Sequence, residues 1–376
     1  MLHCEERRVR LAAAMEERRA WPADSPWIRE AIADRPRHLF APDRLWHWDG
    51  YTYLPVDLDA DPRQWAAEVY AGPDDPTITQ VTNGVPSSSL SCQAIIADML
   101  DSLMPEPGHR VLELGAGQGY NAALLAWRTG PGLVTTVEVD PVLASAAQDR
   151  LEALGAGVAV QTGDGGLGWP DNAPYDRVVS TYAVESAPWT WIEQTRPGGR
   201  IVTPWGRLGH VALTVADDGK SATGWMQGLA AFMPSRTTAD ARRGWRQVRG
   251  DRPAEDERAV TFAPERLRDG NVLFILRVCL PDVEVFTRTD DNGTVTAFLH
   301  DGRSSWATIT PGGGGAAIAH QGGPRRLADE AERVLDHWAQ QGAPSLYDFG
   351  MTVLPDRQFT WHKDPDSGPY GLPVGG

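Results

Sequence analysis

Cysteine is scarce and scattered. The 376-residue chain has three, Cys4, Cys92 and Cys279, with no C-x-x-C pair and no Cys/His cluster. No metal site is therefore expected, and the odd count and low density suit a reducing cytosol. Long apolar runs are also missing, so no segment is expected to cross a bilayer and a membrane is not an expected partner. The segment Met1–Arg19 is rich in Glu and Arg and lacks the apolar stretch of a secretory signal. Cytoplasmic location is the expectation. Positive charge is in deficit: Lys and Arg total 35 against 50 Asp and Glu, a net charge of -15. Such a chain repels phosphate backbones, and nucleic acid is not an expected partner either.

What is present is an ordinary globular balance, 41% hydrophobic and 23% charged, which supplies a core of useful size. The length predicts two or three domains. Fifteen tryptophans read as core filling plus an apolar groove. Residues 1–35 read as helical, with Leu11, Ala14, Met15, Trp27, Ile28 and Ile32 at helix-like spacings broken by Pro22 and Pro26. The stretch 47–76 reads as irregular, with short strands or turns. Residues 91–104 form an amphipathic helix, with Ile95, Ile96, Met99, Leu100 and Leu103 on one face.

A strand–helix alternation follows. Strands are expected at 110–114, 134–139, 157–161, 175–180 and, after the turn Pro197-Gly198-Gly199, at 200–203; helices are expected at 120–128 and 141–154. The stretches 211–215 and 229–233 read as two further strands. Such alternation implies a mostly parallel, doubly wound α/β sheet with helices on both faces. Beyond Pro234 the texture changes. Residues 236–258 are dense in charge and read as a linker. Strands are expected at 272–277 and 283–287, a hairpin at 294–300 and 306–310, a flexible loop at 312–315 and a helix at 325–341; the Pro/Gly-rich tail 365–376 reads as mobile. The expected organisation is a helical and irregular substrate-side segment, 1–90; a cofactor-binding core, 91–236; a linker, 237–258; and a small C-terminal α+β domain, 259–376.

The most informative stretch is Val111-Leu112-Glu113-Leu114-Gly115-Ala116-Gly117-Gln118-Gly119-Tyr120. An apolar strand runs into a glycine-rich turn and then a helix, whose first free N–H groups and positive end face a ligand. A dinucleotide or S-adenosyl-L-methionine would suit that arrangement, and two features favour the second. The spacing is G-x-G-x-G, with Tyr120 in the slot where a dinucleotide fingerprint has its third glycine. Glu113 stands immediately before the turn, poorly placed for a pyrophosphate but well placed for an ammonium. About twenty residues on, Glu138 ends the second strand, where an acid bonds ribose hydroxyls. Asp164, within Gly163-Asp164-Gly165, is placed to accept from an adenine amino group. Each acid alone reads as a helix cap or solvated charge; the ordered set reads as a methyltransferase. Val139, Gly165 and Thr181 complete the expected cofactor contacts, and Tyr182 either walls the pocket or packs in the core. His38, His109 and His210 read as structural or exposed, because methylating a carboxylate, already ionised at neutral pH, needs no strong base.

The chain resembles the protein-L-isoaspartate O-methyltransferases. Arg37-His38-Leu39-Phe40-Ala41-Pro42 is similar to that family's R-H-x-F-x-P segment. Gly163-Asp164-Gly165 and Ala173-Pro174-Tyr175-Asp176 match its G-D-G and A-P-Y-D pair, and Pro197-Gly198-Gly199-Arg200-Ile201-Val202 its G-G-R-L-V segment. Phe232-Met233-Pro234 resembles the close of its core. The resemblance covers roughly residues 25–236. It implies a Rossmann-like class I methyltransferase fold, S-adenosyl-L-methionine as cofactor and S-adenosyl-L-homocysteine as product, with contacts from Glu113, Gly115, Gly117, Gln118, Gly119, Glu138 and Asp164. It also implies a substrate-side hydroxyl just before the helix at 91–104. The best register puts Ser88 there, with Ser87 and Ser89 as close rivals; alone, such a run reads as a helix-capping loop.

Two departures stand out. The family's Pro-His pair is Leu90-Ser91 here, and the chain runs 140 residues past Arg236. Such an extension resembles relatives that work beside peptide-modifying ligases or on lanthipeptides and lasso peptides. The resemblance then implies a modified precursor peptide as partner. An aspartate side chain in that constrained ribosomal peptide would be methyl-esterified and would then close to an aspartimide. Isoaspartyl repair, or a donor-binding partner protein without turnover, are the alternatives.

Overall fold

Two units divide the chain, residues 1–237 with 353–357 and residues 238–352 with 358–376. The computed structural model describes residues 2–206, 208–237, 243–312 and 316–371.

The first unit opens with α1 (Leu2–Glu17) and α2 (Pro26–Asp34). Leu11, Met15, Trp27, Ile28 and Ile32 are all buried, as their spacing predicts. The segment 47–76 is more ordered than expected. β1 (Arg44–Trp48) and β2 (Tyr53–Asp57) pair as a hairpin, and α3 (Pro62–Val69) follows. Asp61 caps α3 by accepting from the amides of Arg63 and Gln64, and Pro62 takes the first helical position, where its missing N–H is harmless. Two turns are too few for a periodicity to register.

The serine run is a strand and not a capping loop. β3 (Thr77–Thr82) and β4 (Val85–Leu90) pair antiparallel, with Thr82 opposite Val85. Asn83 and Gly84 between them both have positive φ, the backbone that a two-residue hairpin turn needs to match strand twist. The strand order β2-β1-β3-β4 leaves β4 at an edge, and α4 (Gln93–Leu103) follows it.

Seven further strands build the main sheet of this unit: β5 (Val111–Leu114), β6 (Val134–Glu138), β7 (Val158–Thr162), β8 (Tyr175–Ser180), β9 (Thr195–Pro204), β10 (His210–Val215) and β11 (Ala222–Gly228). They lie in the order β11-β10-β9-β8-β5-β6-β7, with β5 to β9 parallel and β10 and β11 antiparallel. The interleaved helices are α5 (Tyr120–Thr129), α6 (Pro141–Ala153) and α7 (Trp189–Glu193). From β5 the chain winds outward to β7, then returns to β8 and winds the other way. The carboxyl ends of β5 and β8 therefore flank the switch point, where ligands of such sheets bind.

Two strand expectations need correction. β9 begins at Thr195, ahead of the Pro197-Gly198-Gly199 turn. The last strand is β11, and 229–233 is not a strand. β11 pairs by close backbone approach, since a Cβ on Gly224 would lie 1.8 Å from the Ala212 carbonyl oxygen. A glycine-bearing, weakly alternating stretch gives little strand signal.

The second unit carries α8 (Trp245–Arg249), β12 (Asp256–Val260), α9 (Gly270–Cys279), β13 (Glu284–Thr289), β14 (Val295–His300), β15 (Trp306–Pro311), β16 (Ala317–Gly322), α10 (Leu327–Gln340), β17 (Phe349–Val353) and β18 (Gln358–His362). Five of these strands form an antiparallel sheet in the order β12-β16-β15-β14-β13. The apolar run 272–277, expected as a strand, is part of α9. Asp269 accepts from the amides of Asn271 and Val272 and caps it; a short apolar run by itself suits either element. Of the expected glycine loop, residues 313–315 lie outside the described residues, as do 372–376 of the tail.

Candidate active site

Between β5 and α5 the chain turns through Gly115-Ala116-Gly117-Gln118-Gly119, with φ of +96°, +52° and +84° at the three glycines. A Cβ on Gly115 would stand 2.4 Å from Thr181 Oγ1, so only glycine fits. At Gly117 a Cβ would enter open space, its nearest neighbours Ser88 Oγ and Ser89 O at 3.9 Å. Gly119 differs from the sequence expectation: its missing side chain faces Leu151 Cδ1, 3.1 Å from where a Cβ would be, and the residue serves the packing of the turn on α6.

The turn forms one wall of a cavity over the carboxyl ends of β5, β6 and β8. The other expected residues converge there: Ser87, Ser88, Ser89, Glu113, Gly115, Gly117, Gln118, Glu138, Val139, Asp164, Gly165 and Thr181 all line it. Glu113 is wholly buried. Its Oε1 accepts from Asn121 Nδ2 at 2.8 Å and its Oε2 from Thr136 Oγ1 at 2.5 Å. Burial pushes this carboxyl up to about 7, against the pull of those two hydrogen bonds. Glu138 Oε2 accepts the Gly117 N–H at 2.8 Å, and Oε1 accepts the Asp140 N–H at 3.1 Å. Asp164 Oδ1 accepts from Gly166 N at 2.8 Å and from Thr237 Oγ1 at 3.0 Å. Thr181 Oγ1 donates to the Gly115 carbonyl at 2.6 Å and so holds the turn from the end of β8.

Three buried polar atoms of cavity-lining residues have no partner among the described residues, Gln118 Oε1, Tyr120 OH and Tyr182 OH. Burial first, then the Asp164 and Glu138 carboxylates, push the Tyr182 phenol upward. Tyr182 is thus a cavity wall and not core filling. Beneath it, Trp191 Nε1 donates to the Gly165 carbonyl at 2.8 Å and fixes that loop.

The three serines separate by geometry. Ser88 is buried, and its Oγ accepts from Thr79 Oγ1 at 3.1 Å while facing Gly117. Ser87 is the neighbour committed elsewhere: its Oγ donates to Gln80 Oε1 at 2.8 Å and lies 2.8 Å from Thr82 Oγ1. Ser89 brings its backbone carbonyl toward Gly117. Arg37, inside the R-H-x-F-x-P segment, is also buried. Its guanidinium donates to the Ser91 carbonyl at 3.0 Å and to Thr77 Oγ1 at 3.1 Å, fastening the end of β4.

Sequence reasoning missed the segment after Pro234. Ser235, Arg236 and Thr237 line the cavity, although Arg236 read as the start of a linker. Arg236 Nη1 lies 3.3 Å from Asp140 Oδ2, and Nη2 donates to Gln80 Oε1 at 3.1 Å and to the Ser87 carbonyl. Nothing in the local pattern signals this, because the partners lie far away in sequence. The tryptophans expected partly in a groove are elsewhere: none is among the residues described as lining the cavity. His38 is also off the cavity, with Nδ1 2.7 Å from Tyr70 OH. His210 is fully buried in β10, and burial lowers it to about 4.

Comparison with known proteins places this geometry. The family described as protein-L-isoaspartate(D-aspartate) O-methyltransferase matches residues 14–229. A protein-L-isoaspartate O-methyltransferase of Aeropyrum pernix is 34% identical over 214 residues, covering 56% of this chain and 72% of its own length. One of Methylorubrum populi is 40% identical over 152 residues, covering 40% of this chain and 68% of its own. A solved structure of a protein-L-isoaspartate O-methyltransferase aligns over 95% of this chain and 100% of its own, with a TM-score of 0.55 and 20% identity, a likeness of fold. The chain belongs to the protein-L-isoaspartate O-methyltransferase family, the S-adenosyl-L-methionine-dependent carboxyl O-methyltransferases with a class I methyltransferase fold.

Proposed function

We propose that the chain methyl-esterifies an aspartyl-type carboxylate of a peptide, with Ser88 holding the acceptor. The observation that carries this is the position of one hydroxyl. Ser88 Oγ is buried, 3.1 Å from Thr79 Oγ1, and is the serine hydroxyl beside the open face of Gly117, where it can donate to an acceptor carboxylate. A carboxylate is the acceptor chemistry that benefits, since it arrives ionised and needs alignment, not deprotonation.

The residues fit the cofactor. An unpartnered Gln118 Oε1 and Tyr182 OH, an uncovered Gly117 and three carboxylates make a concave, acid-rich wall suited to a cationic ligand. Glu113 is assigned to the amino group, Glu138 to the ribose hydroxyls and Asp164 to the base. When bound, S-adenosyl-L-methionine supplies a methyl carbon already made electrophilic by its sulfonium. Thr181 and Glu138 keep the glycine turn in place from its two sides, and Tyr182 with Phe232 and Met233 excludes water.

The narrower reading is an aspartate in a constrained ribosomal peptide. The next backbone amide nitrogen would attack the ester carbonyl, forming a C–N bond as methanol leaves, and give an aspartimide. Leu90-Ser91 in place of the family's Pro-His pair supports it, because these residues border the acceptor strand. Chain length does not separate it from isoaspartyl repair: the solved relative aligned over 95% of this chain carries the general family name. The test is competition between a linear isoaspartyl peptide and a constrained aspartyl peptide, followed by mass spectrometry. Addition of a methyl group and then loss of methanol only from the constrained peptide supports the narrower reading. Efficient methylation of unrelated isoaspartyl peptides assigns repair instead, and no transfer to either peptide rejects the proposal.

A further inference from the structure

We infer that Arg236 selects the acceptor by pairing with its carboxylate, an inference that rests on the carboxylate-acceptor reading above. Among the described residues lining the cavity, Asp74, Glu113, Glu138 and Asp164 are acids and Arg236 is the one cation. A wall of that composition attracts the cationic donor but repels a carboxylate acceptor. An anion enters such a site only if a cation offsets the repulsion on the acceptor side.

Arg236 is on that side. Its Nη2 contacts the Ser87 carbonyl and Gln80 Oε1 on the β3–β4 hairpin, one residue from the Ser88 hydroxyl that faces Gly117. Its side chain is 37% exposed. Its one charged partner among the described residues holds it loosely. The contact to Asp140 is a single one at 3.3 Å, not a two-pronged pair. Asp140 would keep its remaining donors, Val142 N and Leu143 N on Oδ1 and Gln80 Nε2 on Oδ2. A guanidinium keeps its charge and offers several N–H donors to a carboxylate oxygen from a fixed plane, where an ammonium is a point charge. With one carboxylate oxygen held by Arg236 and Ser88, the other is left to attack the methyl carbon.

The rival role for Arg236 is structural. Together with the Thr237–Asp164 hydrogen bond, its contacts fasten residues 235–237 across the cavity. A fastener acts on donor affinity; a selector acts on the acceptor. The experiment separates them by calorimetry on the protein saturated with S-adenosyl-L-homocysteine. The probes are a linear isoaspartyl peptide and a constrained aspartyl peptide, each paired with its carboxamide counterpart. The expected result for the native protein is an acid-over-amide preference of ~10-fold or more for one pair, weakening with added salt. R236Q should abolish the preference and R236K should restore part of it, while homocysteine-product affinity stays within about twofold. Equal binding of acid and amide, binding of neither, or a preference that survives R236Q overturns the inference. So does a loss of product affinity in R236Q that matches the loss of peptide binding. A native protein that prefers the acid yet transfers no methyl group leaves Arg236 assigned and removes the proposed function instead.

Discussion

Glu138 accepts the N–H of Gly117 at 2.8 Å, which ties the acid ending β6 to the middle of the glycine turn. The bond joins the ends of the neighbouring strands β5 and β6 and holds the turn from the β6 side. Glu138→Ala should therefore weaken binding of S-adenosyl-L-homocysteine by ~10-fold or more, since it removes a charge-assisted bond to the backbone as well as the acceptor proposed for the ribose hydroxyls. Glu138→Gln, which keeps one acceptor oxygen, should fall between. Calorimetry checks this, and native affinity in the alanine variant contradicts the assignment.

Gly115 tests the turn without touching a charge. At φ +96°, with Thr181 Oγ1 2.4 Å from where a Cβ would be, alanine meets both backbone strain and a collision. Gly115→Ala should cost on the order of 1–3 kcal/mol of stability and should also impair cofactor binding. Thermal unfolding with and without S-adenosyl-L-homocysteine measures both. A native melting temperature together with native ligand-induced stabilisation would show that the turn tolerates a side chain.

The serines predict an order. Ser88→Ala removes the hydroxyl that faces Gly117 and should lower kcat/KM for peptide by ~10-fold, with product affinity unchanged. Ser87→Ala should act less, through the loosened Gln80 side chain, and Ser89→Ala least, because its backbone carbonyl is what approaches the turn. Steady-state kinetics on the three variants decides. Equal effects would place the acceptor elsewhere.

Glu113 gives a pH dependence of definite sign. Burial raises its carboxyl to about 7 from the ordinary value of 4.5. Between those values the unfolded chain has released this proton while the folded chain keeps it. This group's contribution to stability therefore falls as pH rises from about 4.5 to about 7, and the loss is complete above. Denaturant titrations across that window should show the slope in the native protein and lose it in Glu113→Gln. A cationic amino group bound nearby favours the carboxylate, so cofactor binding near neutrality should release a proton. Calorimetry in buffers of different ionisation enthalpy reads that release; heats independent of buffer would remove Glu113 from the donor site.

Much of the core was legible because its information is local. The strand-turn-helix at Val111–Tyr120, the acid closing β6 and the loop holding Asp164 each follow from a few adjacent residues whose backbone needs are strict. Short elements were less legible. α3 has two turns, and the Val272–Arg277 run suits a strand until Asp269 caps it as a helix. The hairpin that makes Ser87–Ser89 a strand turns on Asn83-Gly84, a two-residue signal outweighed in the sequence by the serines beside it.

The order of residues along the chain by itself determined the donor side: which glycines turn, which acids follow the strands, and hence the family. Only the tertiary structure decided the surroundings of the serine that the register had put first. It set Thr79 against Ser88, turned Gly119 toward α6, and brought Arg236 against Gln80 and Asp140. The reason is physical: backbone torsion and strand-end position are written within a few residues. The direction of a hydroxyl or guanidinium depends on partners that only folding brings within hydrogen-bonding distance.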